Sequence, residues 1–175
     1  MEFLAKGKRG KVYLTKTGTV IKKAPAWRIH NEIIWLKKLN SQGIGPKLIS
    51  FNAEGFEMEY LQGPLLKNYL ETSSHKKSLA AIKNCLQQCR VMDKLHVNKK
   101  EMHHPDKHIL MIKDKPVFID FERCKITEHP KNVTQFVEYL AKLGFMDRKN
   151  VELLLKDYKK NQTEKNFKKI FSLFS

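Results

Sequence analysis

The spacing of apolar residues changes character along the chain, and each change predicts an element. Residues 3–5, 11–14 and 19–23 are short stretches separated by turns at 6–10 and 16–18, which predicts a small antiparallel sheet. Pro25 ends the third strand. From 28 to 40 the apolar positions Ile29, Ile33, Leu36 and Leu39 recur at helical spacing, and the Gly43-Ile44-Gly45-Pro46 run stops that helix. Residues 47–51 and 55–61 predict a second hairpin, with Phe56, Met58 and Tyr60 on one face, halted by Gln62-Gly63-Pro64.

Helical spacing dominates the remainder. A short helix is predicted over 65–71 and a longer one over 76–97, carrying Leu79, Ile82, Leu86, Cys89, Met92 and Val97 on one face. The continuous apolar run Ile109-Leu110-Met111-Ile112 fits a buried strand, and Asp114-Lys115 turns the chain back into Pro116-Val117-Phe118-Ile119-Asp120-Phe121-Glu122, read as another strand. Helices follow over 132–140 and 148–160, and Phe167, Ile170, Phe171 and Phe174 predict a last one.

A length of 175 residues suits one domain or two small lobes around a cleft, and 41% hydrophobic residues suffice for a core. Net charge is +16, from 34 Lys+Arg against 18 Asp+Glu. Such an excess points to an anionic partner: nucleotide, nucleic acid, acidic protein or anionic lipid. Lysines spread along the chain are equally what a solvated basic surface looks like. Cys85 and Cys89, four apart on a helix, are expected in the core, and the odd cysteine count suggests a reducing cytoplasm. No apolar run is long enough to span a membrane, so no membrane partner is expected.

The candidate chemistry sits at a strand end. Asp120 follows an apolar run, and a carboxylate there needs a cation or donors to meet it. Its duller alternative is an ordinary turn-forming Asp. The turn Gly7-Lys8-Arg9-Gly10 joins two strands and could bring backbone N–H groups close to phosphates. On the third strand Val20 and Lys22 share one face while Ile21 and Lys23 share the other, so only one lysine can face a cleft beneath that turn. Glu32 lies at the edge of the apolar helical stripe, within reach of a neighbouring strand.

Taken in order, these pieces resemble a minimal protein kinase over residues 4–140. Residues 5–12 resemble the Gly-rich loop, with Ala5 where a glycine usually stands. Thr19-Val20-Ile21-Lys22 resembles the strand with the phosphate-binding lysine, Glu32 matches its helical partner, and Glu57-Met58-Glu59-Tyr60 resembles the adenine-binding hinge. Ile119-Asp120-Phe121-Glu122 resembles the Mg²⁺-binding Asp-Phe-Gly with Glu for Gly. The short remainder is closest to compact atypical kinases, the RIO-like family and the small kinase of the tRNA-modifying complex. It is closer still to small predicted Ser/Thr kinases sharing the patterns at 43–48, 104–109 and 119–123.

The resemblance implies an α+β, two-lobed fold. A small antiparallel β lobe would span residues 1–62 and a reduced, mainly helical lobe 63–175. It implies ATP and Mg²⁺ as cofactors, bound by Gly7, Gly10, Val12, Val20, Lys22, Glu32, Glu57, Glu59 and Asp120, with Asp120 on the metal. A protein hydroxyl would be the acceptor. The catalytic loop departs from the pattern: His103 falls near the usual catalytic Asp and His108 at the usual Asn. That leaves Glu101 or Asp106 as base and His108 to orient phosphate or carboxylate. His103, His104, Asp106 and His108 also raise a metal site, although their spacing matches no zinc pattern. Three readings follow: an atypical Ser/Thr protein kinase, a pseudokinase whose basic surface docks RNA or a ribonucleoprotein, and a small-molecule kinase.

Overall fold

The structure is a computed structural model describing residues 1–6 and 10–174. It is α+β. Strands β1 (Glu2–Lys6), β2 (Lys11–Leu14), β3 (Thr19–Lys23), β4 (Leu48–Phe51) and β5 (Gly55–Glu59) form an antiparallel sheet ordered β1-β2-β3-β5-β4. Hairpin turns explain the early neighbours, while β5 inserts beside β3 because helix α1 (Ala26–Asn40) carries the chain around the sheet. The stripe Ile29, Ile33, Leu36 and Leu39 is buried, as its spacing predicts. Asn40 ends α1. Its amide donates to the carbonyls of Ile44 and Pro46 and its oxygen accepts from Leu48 N–H, aiming the chain into β4.

Five further helices follow: α2 (Leu66–Thr72), α3 (His75–Lys94), α4 (Asn132–Lys142), α5 (Arg148–Lys160) and α6 (Glu164–Phe171). Ser74, Asp147 and Thr163 cap α3, α5 and α6 with side-chain oxygens. Two small ladders lie among the helices. Strands β7 (Ile109–Ile112) and β8 (Lys115–Phe118) form a hairpin, and β6 (Val97–Asn98) pairs with β9 (Lys125–Ile126). Cys85, Cys89 and Cys124 are free and buried. No helix among the described residues is long and apolar enough to cross a membrane.

Three of the boundaries that differ from the sequence expectation bear on the site. The helix predicted to 97 ends at Lys94, because His96 turns the chain at φ 57° and Val97 pairs with Ile126. The strand predicted through Glu122 ends at Phe118, and Asp120 lies at φ 64°. The strand predicted to Leu61 ends at Glu59, and Tyr60 and Leu61 leave the sheet.

A buried polar network fixes the segment between α3 and α4. Asp93, at the end of α3, accepts from the backbone N–H groups of Asn132 and Val133, from the Asn132 amide and from the Tyr158 hydroxyl. Asn132 in turn donates to the Val97 carbonyl and accepts from Lys99 N–H at 2.8 Å. Burial pushes the Asp93 carboxyl up, and these donors offset that only in part. The first turn of α4 and the loop after β6 are therefore tied to one carboxylate.

Candidate functional site

A cleft of about 820 Å³ opens between the sheet with α1 and the segment 99–123. One wall is built by strand alternation. Val12, Val20 and Lys22 face the cleft from β2 and β3, as does Met58 from β5. Gly10 stands at the lip, where a Cβ would come within 2.7 Å of the Lys23 carbonyl, so its own close approach to the end of β3 needs glycine. Glu59, Tyr60 and Leu61 continue the wall where the chain leaves β5. The opposite wall carries Glu101, Lys107, His108, Ile119, Asp120, Glu122 and Arg123.

Charge is concentrated at the back. Lys22 Nζ donates to Glu32 Oε2 at 2.7 Å and to Asp120 Oδ1 at 3.2 Å, joining β3, α1 and the segment after β8. Burial disfavours the lysine cation, yet Glu32 and then Asp120 outweigh it and hold the ammonium above its ordinary value. Burial raises the Glu32 carboxyl, which is 2% exposed, and Lys22 offsets this only in part. For Asp120 burial works upward, but Lys22 and Lys99 win and hold the carboxyl below its usual value. Its positive φ is uncommon for a non-glycine residue and fixes the carboxylate's aim.

Glu122 ties the Asp120 segment to α1. It is buried, its Oε1 accepts from Arg28 Nη1 at 2.7 Å, and its carbonyl accepts from Asn31. Phe121 is fully buried, and a Cβ on Gly45 would come within 2.8 Å of its ring, which explains glycine at that φ +86° turn.

The sequence candidates separate in space. Val12, Val20, Lys22, Glu32, Glu59, Gly10, Glu101, His108 and Asp120 line the cleft. Gly7 lies outside the described residues. Glu57 alternates to the far face of β5, where its carboxylate accepts from Thr19 and Ser50 hydroxyls. Asp106 is a correction as well: short 3₁₀ turns over Lys100–His103 and Pro105–Lys107 rotate it away from the cleft, and it accepts from the Tyr139 hydroxyl at 2.7 Å. Glu101 is left as the acidic group of that loop in the cleft. His103 and His104 pack on each other at a 58° tilt outside the cleft, and the His-rich stretch does not bring its side chains together as a metal site. Among the described residues, the group close enough to share an ion is Glu32, Asp120 and Glu122, whose oxygens lie within 4.8 Å of one another.

His108 Nδ1 stands 3.8 Å from Asp120 Oδ2, too long for a hydrogen bond. Burial, then Lys99, lowers its pKa and so favours the neutral imidazole.

Lys99 is the residue that sequence reasoning missed. It is fully buried. Its Nζ donates to the Asp120 carbonyl at 2.5 Å, lies 3.5 Å from Glu101 Oε2, and sits 5.0 Å above the Phe121 ring. A buried ammonium persists only where acceptors surround it. Here it holds the carbonyl of Asp120 and the carboxylate of Glu101 to one point, so both acids are positioned by one side chain. The available signal was weak: two adjacent lysines after a helix usually both face water.

No known family model matches this sequence, and no curated protein matches it either.

Proposed function

We propose that the chain is an ATP-dependent phosphotransferase, an atypical and compact Ser/Thr protein kinase that moves the terminal phosphoryl group of ATP to a protein hydroxyl. The observation that carries this reading is Lys22 held between Glu32 and Asp120 on the wall of a cleft large enough for a nucleotide. In this reading the fold is two-lobed, with the sheet and α1 as the smaller lobe.

The donor set suits Mg²⁺, which prefers hard oxygen ligands, because Asp120 offers an ionised carboxylate at the cleft surface. Held by Asp120, such an ion would supply positive charge against the phosphates. The remaining work belongs to the chain. Lys22 orients phosphate oxygens, and Glu32 keeps its ammonium in place. Gly10 brings backbone to the cleft where it can cover the phosphates, and the peptide groups from Glu59 to Leu61 meet the edge of the base. Glu101 accepts the hydroxyl proton as the acceptor oxygen bonds to phosphorus, the β–γ bridging bond breaks, and ADP leaves. Lys99 keeps Glu101 and Asp120 in register.

The test is transfer of labelled γ-phosphate by the full chain. The wild type is expected to label itself or a serine-containing protein, with Lys22→Ala and Asp120→Asn at least about a thousandfold slower. Transfer at wild-type rates in both variants, with folded circular-dichroism spectra, would overturn the site.

One observation favours a second reading. A neutral imidazole stands beside Asp120, where a second oxygen ligand would serve Mg²⁺ better. A nucleotide-binding module without transfer, acting through a partner, would be stabilised thermally by Mg-ATP yet show no turnover.

A further inference from the structure

The loop that carries Glu101 turns its acids inward and its bases outward. Glu101, Met102 and Pro105 are buried and Asp106 leans on Tyr139, while Lys100, His103, His104 and Lys107 face solvent. The chain comes back alongside with the same sign. Arg123 and Lys125 are exposed, and Lys125 pairs with Asn98 across the β6–β9 ladder, two residues before Lys100. Lys107 and Arg123 line the mouth of the cleft beside Glu101, whereas Lys100 and Lys125 lie outside it. Arg123 Nη1 is 3.5 Å from Glu101 Oε1. Among the described residues Lys100, Lys107 and Lys125 make no ion pair.

Nucleotide phosphates inside the cleft account for Lys22 but not for cations outside it. A rim of unneutralised lysines concentrates anionic ligands and rejects cationic ones. We infer that this rim docks an acidic segment of a protein chain, which presents the acceptor hydroxyl to Glu101. The inference rests on the phosphotransfer reading of the cleft. A protein segment fits better than RNA for two reasons. The Glu101 side chain is only 11% exposed, so the hydroxyl must arrive on a slender arm such as serine or threonine. The rim also offers no flat aromatic platform for bases, since its exposed imidazoles His103 and His104 pack on each other at a 58° tilt.

The experiment uses the full chain and three fluorescent peptides with one serine each, flanked by Asp/Glu, by Ala/Gly or by Lys/Arg. Binding is read by anisotropy, independently of turnover, and phosphate transfer is read in parallel. The acidic peptide is expected to bind about tenfold more tightly than the neutral one in low salt, and the margin should shrink toward none at about 0.5 M salt. A Lys100→Glu/Lys125→Glu variant, changed only outside the cleft, should lose that preference while keeping its kcat on the neutral peptide. Equal binding of acidic and neutral peptides overturns the inference. So does a single-stranded RNA oligonucleotide that binds through the same lysines and leaves peptide preference flat. Acidic-peptide binding with no phosphate transfer upholds the docking surface and instead overturns the phosphotransfer reading.

Discussion

Two lysines, one half-buried and one sealed from water, meet Asp120 from different sides, and they do different things. Lys22, from β3, reaches the carboxylate and shares itself with Glu32, so its charge faces the open cleft between acids. Lys99, from the loop after β6, reaches the backbone carbonyl and is sealed from water, with one carboxylate 3.5 Å away and a ring beneath it. The first arrangement leaves a cation able to exchange a protein carboxylate for a phosphate. The second has no free side and can only hold the backbone. The same residue type therefore serves binding on one wall and geometry on the other, and the partner atoms decide which.

The comparison breaks most visibly at Lys99. Lys99→Ala removes a buried cation from beneath Asp120 and beside Glu101, and should lower the unfolding free energy by about 3–5 kcal/mol in urea titrations. A loss under about 1 kcal/mol would mean that the ammonium does not organise the loop. Lys22→Ala should cost less, about 1–3 kcal/mol, because Glu32 can take a proton when its cation is gone. Burial raises the Glu32 carboxyl in the folded state, so its contribution is fully present below its unfolded pKa and is lost as pH rises through the folded one. The Lys22→Ala penalty should therefore shrink when pH is lowered from 7 to 5, and Lys22→Ala/Glu32→Gln should show no such trend. A penalty independent of pH would contradict the pairing.

Smaller effects sharpen the picture. Folding lowers the His108 pKa, so its contribution to stability is present above its unfolded value, about 6.5, and is lost as pH falls through the folded value. His108→Asn should flatten the stability–pH curve just below neutrality and, by supplying an oxygen, tighten Mg²⁺ binding measured by calorimetry. The smallest effect is expected at Asp106. Asp106→Ala loses one hydrogen bond to Tyr139, about 0.5–1.5 kcal/mol, and leaves transfer unchanged, whereas Glu101→Gln should depress transfer about a hundredfold or more.

How much of this could be read from the chain depends on the range of the cause. The faces of β3 and α1 follow from local periodicity, so the placement of Val20 and Lys22 on one side, and of Glu32 against the sheet, was legible. So was an acid delivered just past the strand containing Phe118. Burial of Lys99 was not, because it is set by Asn132 and Asp93, and Asn132 lies 33 residues away. The β6–β9 ladder pairs only Val97 and Asn98 with Ile126 and Lys125, too short to leave a period. Asp106 looked as eligible as Glu101 in the sequence; the 3₁₀ turns that rotate it onto Tyr139 have no hydrophobic signature. Glu57 enters only through the hinge resemblance of 57–60, and alternation along β5 puts it on the face opposite Met58, away from the cleft.

The most direct measurement is calorimetric titration of Mg-ATP into the wild type, Lys22→Met and Asp120→Asn. The account predicts saturable binding to the wild type, weakened at least about tenfold in each variant, with the Asp120→Asn loss confined to titrations containing Mg²⁺. Equal affinity in all three proteins, or binding that ignores Mg²⁺ throughout, would contradict it.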